Sequence, residues 1–126
     1  MKSFGIFCLL ALVSLIWCTS TATARPPYKK EFDATYKESK IADAAKKAKC
    51  NNCHYGKKKT MRNDYGKALS KHLSKKLYNK LKGNKPKLAE TVREALKKVL
   101  TEKSSSGETF GDRIKAGKLP GTPPAE

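Results

Sequence analysis

The chain has 126 residues and carries 28 Lys or Arg against 11 Asp or Glu, a formal charge of +17. That length admits one domain with a modest core. The positive charge is almost all lysine, with Arg25, Arg62, Arg93 and Arg113 as the only arginines; specific nucleic-acid recognition, which relies on bidentate arginine, is therefore set aside.

The first residues read as an address. Lys2 supplies a positive start, Phe4 to Trp17 a short apolar run, and Ala22-Thr23-Ala24 a small-residue cleavage pattern. Residues 1–24 are thus predicted to be a secretory signal peptide whose removal leaves Arg25 first. The apolar run is shorter than the ~20 residues of a spanning helix, so no transmembrane anchor is expected after cleavage. Bulky Trp17 before Cys18 argues against a lipid-attachment site. Cys8 and Cys18 leave with the signal, so the exported chain, periplasmic or extracellular, has no cysteine to spare for a structural disulfide beyond Cys50 and Cys53.

In the mature chain, Pro26-Pro27 predicts an extended start. Phe32 and Tyr36, one helical turn apart, suggest a short helix or a loop with two aromatic anchors. Ser39 suits an N-cap, and Ile41, Ala44, Ala45 and Ala48 make the narrow face of a helix that runs into Cys50. There the chain reads Cys50-Asn51-Asn52-Cys53-His54. On a helix, positions i, i+3 and i+4 leave from one face, an arrangement that suits one flat cofactor, and CxxCH is the attachment pattern of a covalent haem. A dithiol redox centre would expect a βαβ pattern, and no strand-like alternation is visible. A zinc site from Cys50, Cys53, His54 and His72 would lack the spacer between ligand pairs.

Beyond the motif, residues 55–63 have no apolar period and read as a loop. Lys57, Lys58 and Lys59 there are either ordinary solvated residues or a docking patch beside the motif. A second helix is predicted from Asp64 to about Lys82, stopped by Gly83-Asn84, with Tyr65, Ala68, Leu69, Leu73, Leu77 and Leu81 inside and His72 within that stripe. Gly66, in its first turn, permits a close approach to haem or is simply tolerated. Pro86 opens a third helix whose inner face is Leu88, Val92, Ala95, Leu96 and Val99. Ser104-Ser105-Ser106-Gly107 reads as a flexible joint, Phe110 and Ile114 as anchors of a short last helix, and residues 120–126 as a disordered tail.

The motif at Cys50 to His54 resembles the haem site of c-type cytochromes and matches it in full; elsewhere the likeness is a helical pattern and a size. The resemblance implies haem c held by thioethers from Cys50 and Cys53, with His54 as proximal iron ligand. It implies an all-α bundle of three to four helices around one covalently attached haem, spanning residues 25–119. No methionine occurs in the later half of the chain, where class I cytochromes c supply the distal ligand. Three options stay open. Met61 lies seven residues after His54, a span of at most ~25 Å; His72 has eighteen residues of slack; or the iron keeps an open or other-ligand position.

The function expected is electron transfer outside the cytoplasm, without catalytic residues. The alternative is a haem-based sensor or small-ligand binder with an open distal site. The lysine excess points to an acidic redox protein, or an anionic membrane or envelope surface, as partner. Leu, Ile, Val and Phe number fourteen in residues 25–126. That is below the ~20% at which a highly charged chain is suspected of disorder, so haem is expected to form part of the core.

Overall fold

The structure is a computed structural model that describes residues 25–124. The expected signal peptide, residues 1–24 with Cys8 and Cys18, and the last two residues of the expected tail lie outside them. Among the described residues, six α-helices and one 3-10 turn follow in order: α1 (Pro26–Tyr36), α2 (Ala42–Ala48), the turn Lys49–Asn52, α3 (Asp64–His72), α4 (Lys75–Leu81), α5 (Lys85–Val99) and α6 (Phe110–Lys115). The all-α class holds, with more and shorter helices than the three to four expected.

The extra helices have local causes. Pro26-Pro27 starts α1 instead of delaying it, because proline in the first turn gives up no intrahelical hydrogen bond and its φ is already helical. The long helix expected from Asp64 to Lys82 breaks at Leu73, where φ −125° and ψ 68° leave the helical region. Ser74 then caps α4, its Oγ accepting from the Leu77 N–H at 3.1 Å. At the start of α3 the cap is Asn63, and Asp64 is the first helical residue, as the predicted start had it. Ser39 does not cap α2; its hydroxyl donates to the Tyr36 carbonyl at 2.8 Å, closing the end of α1.

Helix α5 is the spine on which α1, α3 and α4 pack. Its inner face, Leu88, Val92, Ala95, Leu96 and Val99, is buried throughout. Around it Phe32, Tyr36, Tyr65 and Phe110 form an edge-to-face chain, with ring centroids 4.8 Å (Phe32–Tyr36), 6.0 Å (Phe32–Tyr65) and 5.2 Å (Tyr65–Phe110) apart.

The serine stretch is fastened, not a free joint. Ser104 is buried, its N–H and Oγ both donate to the Glu108 carbonyl at 2.8 and 2.9 Å, and Gly107 turns the chain at φ +87°. Ser105 N–H and Oγ donate to Asp64 Oδ2 at 2.9 and 3.0 Å. The beginning of the expected tail is fastened to the same carboxylate. Pro120 is fully buried and the Thr122 N–H donates to Asp64 Oδ1 at 2.6 Å, so packed structure continues past Leu119. Burial alone would raise the Asp64 carboxyl, but the N–H groups of Thr122, Ser105 and Tyr65 outweigh it and hold the group below its ordinary range. Among the described residues no helix is long and apolar enough to cross a membrane.

Candidate functional site

The motif does not ride on an α-helix. Helix α2 stops at Ala48, Lys49 takes a left-handed φ of 52°, and Cys50 sits on the 3-10 turn. Side-chain clamps account for the break. Asn52, buried at 3% exposure, turns its Nδ2 back to the carbonyls of Ala45 (2.9 Å) and Lys49 (2.8 Å), which occupies the end of α2. The Cys53 and His54 N–H groups both donate to the Cys50 carbonyl, at 3.2 and 3.1 Å, so the motif stays tightly wound without a continuing helix.

Helix α3 holds the motif from the other side. Asn63 Oδ1 accepts from the Gly66 N–H at 2.8 Å while its Nδ2 donates to Asn52 O at 3.1 Å and Asn51 O at 3.4 Å. Its own N–H donates to Cys53 O at 3.0 Å. A Cβ at Gly66 would lie 2.1 Å from that same Cys53 oxygen, so only glycine allows α3 this close to the motif backbone. The close approach foreseen at Gly66 is thus to the motif's own main chain. Asn52 and Asn63 escaped the sequence reading because a polar side chain that bonds backbone leaves no periodic trace; Asn at a helix start was the one available signal.

His54 is set by the loop that follows it. Its Nδ1 lies 3.2 Å from the Met61 carbonyl, and a backbone bridge joins His54 to Arg62. Because a carbonyl only accepts, that contact assigns the proton to Nδ1 and leaves the Nε2 lone pair free. Burial, with further help from Arg62 and Lys59 and against the Met61 contact, holds the ring below the ordinary histidine pKa, which favours the neutral form that ligates metals. The Cys53 thiol is pushed up to about 12, by burial first and by neighbouring Cys50 second.

Cys50, Cys53 and His54 line one cleft of about 630 Å³, within the range of cofactor sites. Phe32, Leu69 and Leu73 give it apolar walls. Arg25, Lys29, Lys49, Lys59, Arg62 and Lys75 also line it, and among the described residues no carboxylate does. The group implied by the motif is a flat apolar macrocycle with two carboxylates, and this lining suits it. Two polar atoms on lining residues are buried without a partner: Asn52 Oδ1, and the Tyr28 hydroxyl, which feels the charge of Arg25 without meeting hydrogen-bond geometry. Each would cost about 1–3 kcal/mol if left unmatched, so a polar occupant is favoured there.

Met61 and His72 do not line this cleft. Met61 is 39% exposed. His72 Nε2 pairs with Glu102 Oε1 at 2.7 Å, with Lys71 at 3.3 Å from the same carboxylate. The four residues of the zinc alternative are accordingly not gathered, and among the described residues no three His, Cys, Asp or Glu side chains converge as a metal-ion site. A smaller hollow of about 120 Å³ between α1 and α2, near Asp33 and Asp43, contains none of the motif residues. The chain matches no protein-family model, no curated protein and no solved structure.

Proposed function

We propose that this chain holds one haem c through Cys50 and Cys53, takes His54 as proximal ligand, and transfers electrons outside the cytoplasm. The observation that carries the reading is that Cys50, Cys53 and His54 line one cleft with apolar walls whose charged lining residues, among those described, are all cations, while the Met61 carbonyl engages Nδ1 of His54 and leaves Nε2 unbonded. Cys50 is exposed and Cys53 is not, so a group tethered through both would extend from the surface inwards. When bound, haem supplies an iron that cycles between ferric and ferrous states. The chain's own part is to fix the imidazole through the Met61 carbonyl, to exclude water with Phe32, Leu69 and Leu73, and to offer cations to the carboxylates. Export rests on the amino-terminal pattern of Lys2, the Phe4 to Trp17 run and Ala22-Thr23-Ala24.

Exposed Lys57, Lys58 and Lys59 follow the motif directly and fit an acidic redox protein as partner. Co-expression of the full precursor with a haem-attachment system, followed by acid denaturation and solvent extraction, tests the attachment. Colour should stay with the protein and be lost in Cys50→Ala/Cys53→Ala. Colour that leaves with the solvent, or an intact mass equal to the bare chain, would end this reading.

A further inference from the structure

We infer that the iron of this chain has an exchangeable sixth position, and that the cleft draws small inorganic anions to it; the inference rests on the haem reading above. Its first support is where the two internal candidates stand. The Met61 carbonyl meets His54 at Nδ1, on the side of the imidazole away from the Nε2 that would face iron, and the Met61 sulfur lies beside Gly56, 3.4 Å from where a Cβ on that glycine would stand. Met61 belongs to the loop behind the proximal ring. His72 is committed to Glu102 across to the segment that follows α5, at 2.7 Å, and is absent from the cleft lining.

The second support is what does face the cleft. Phe32, Leu69 and Leu73 offer no donor to iron. Of the lysines, Lys29 is held by Asp33 and Lys59 donates to Asn51 Oδ1 at 3.2 Å. Lys29 is neutralised by Asp33 and part of the remaining charge would face the haem carboxylates; what is left of the six cations, around apolar walls and with no lining carboxylate among the described residues, biases the cleft to a positive potential and raises the local concentration of anions. With Met61 and His72 standing elsewhere, a small anion is the external ligand class that the field favours, ahead of a neutral gas that gains nothing from the charges, and the lining donors it must displace are Lys49, Lys75 and the Tyr28 hydroxyl.

The holo protein, prepared from the full precursor, is titrated with azide in the ferric state. A high-spin ferric spectrum that turns low-spin with azide is expected, unchanged by His72→Ala or Met61→Ala. In Lys75→Gln and in Arg62→Gln, azide should bind about two- to fivefold more weakly, the weight of one partly exposed charge, and raised salt should weaken it in the parent. Three results overturn the inference: a low-spin ferric spectrum that azide leaves alone, a low-spin spectrum that becomes high-spin on changing a cleft lysine to Gln, or azide affinity indifferent to charge removal and salt. If no haem is covalently retained, the haem reading itself fails and takes the inference with it. Solvent extraction identifies that failure before any titration is made.

Discussion

The face of α5 and the wall that carries the motif are built on opposite principles. On α5 the buried groups are Leu88, Val92, Ala95, Leu96 and Val99, packed against other apolar side chains. Between Lys49 and Asn63 the buried groups are Asn52 and Asn63, and what they contact is main chain. The first kind of order is held by many small, interchangeable contacts. The second depends on a few directional bonds, each without a substitute. The cluster from Phe32 to Ile114 closes side chain on side chain, so any part that the proposed haem plays in the core is confined to the cleft wall. Breaking each wall separately should give distinguishable failures.

The largest effect is expected on the apolar side. Leu96→Ala, at a site 1% exposed, should cost about 2–5 kcal/mol through lost burial and the cavity left behind. Urea melts followed by far-ultraviolet dichroism should show one cooperative transition at lower midpoint. A loss under 1 kcal/mol would mean that α5 is not the spine.

Gly66→Ala tests where the two walls meet. Helix propensity alone would favour alanine by about 1 kcal/mol. Against it stands a Cβ 2.1 Å from the Cys53 carbonyl, where the obstacle is backbone and cannot swing aside. Overpacking should win, for a net loss of about 1–3 kcal/mol, and amide exchange should rise first in residues 50–54. A stabilised variant would show that α3 does not abut the motif.

Asn63→Ala should cost about 1–2 kcal/mol, as the α3 cap and the donors to Asn51 and Asn52 are lost together. Asn63→Asp keeps an oxygen for the Gly66 N–H but cannot donate, so it should recover α3 without restoring protection of the motif. Equal recovery in both places would reduce Asn63 to a cap.

The same contrast decides what was legible. The α5 face shows as a period of apolar residues, and CxxCH shows because its residue types are rare and fixed in spacing. The break at Leu73-Ser74 was hidden because Leu77 and Leu81 continue the apolar stripe of α3, so the period runs through a bend that Ser74 makes with one hydroxyl. The serine stretch and the tail looked loose because their composition is that of loops. Their order comes from the Asp64 carboxylate, 41 and 58 residues away in the chain. Lys49 at positive φ has no composition signal at all: glycine is the usual occupant, and here Asn52 and the motif behind it hold the turn. His72 was legible as part of a helical stripe, but not its partner, since Glu102 lies thirty residues on, past the end of α5.

That pair gives the smallest effect and the sharpest contrast with the cleft. The His72 hydrogen bond, and after it Lys71, hold the Glu102 carboxyl below its ordinary value of 4.5, against the smaller effect of burial. A carboxyl depressed in the folded state contributes stability above the unfolded pKa, and that contribution is lost as pH falls through the lower, folded value. Its loss should therefore begin near pH 4.5 and be complete in more acid solution. Both side chains are about three-tenths exposed, so the contribution is no more than about 1 kcal/mol after solvent screening. Wild type and Glu102→Gln are compared by urea melts at pH 7 and at about pH 3. Wild type should be slightly the more stable at pH 7 and the two should converge in acid; the comparison cancels the other carboxylates that titrate in the same window, Asp64 and Glu108. The holo spectrum should be the same in both proteins at pH 7, because His72 is tied away from the cleft. A gap that persists at about pH 3 would mean that the glutamate acts through packing and not through its charge. A spectrum altered by Glu102→Gln would show that His72 is within reach of the iron once released, and would restore it as one of the candidate distal ligands.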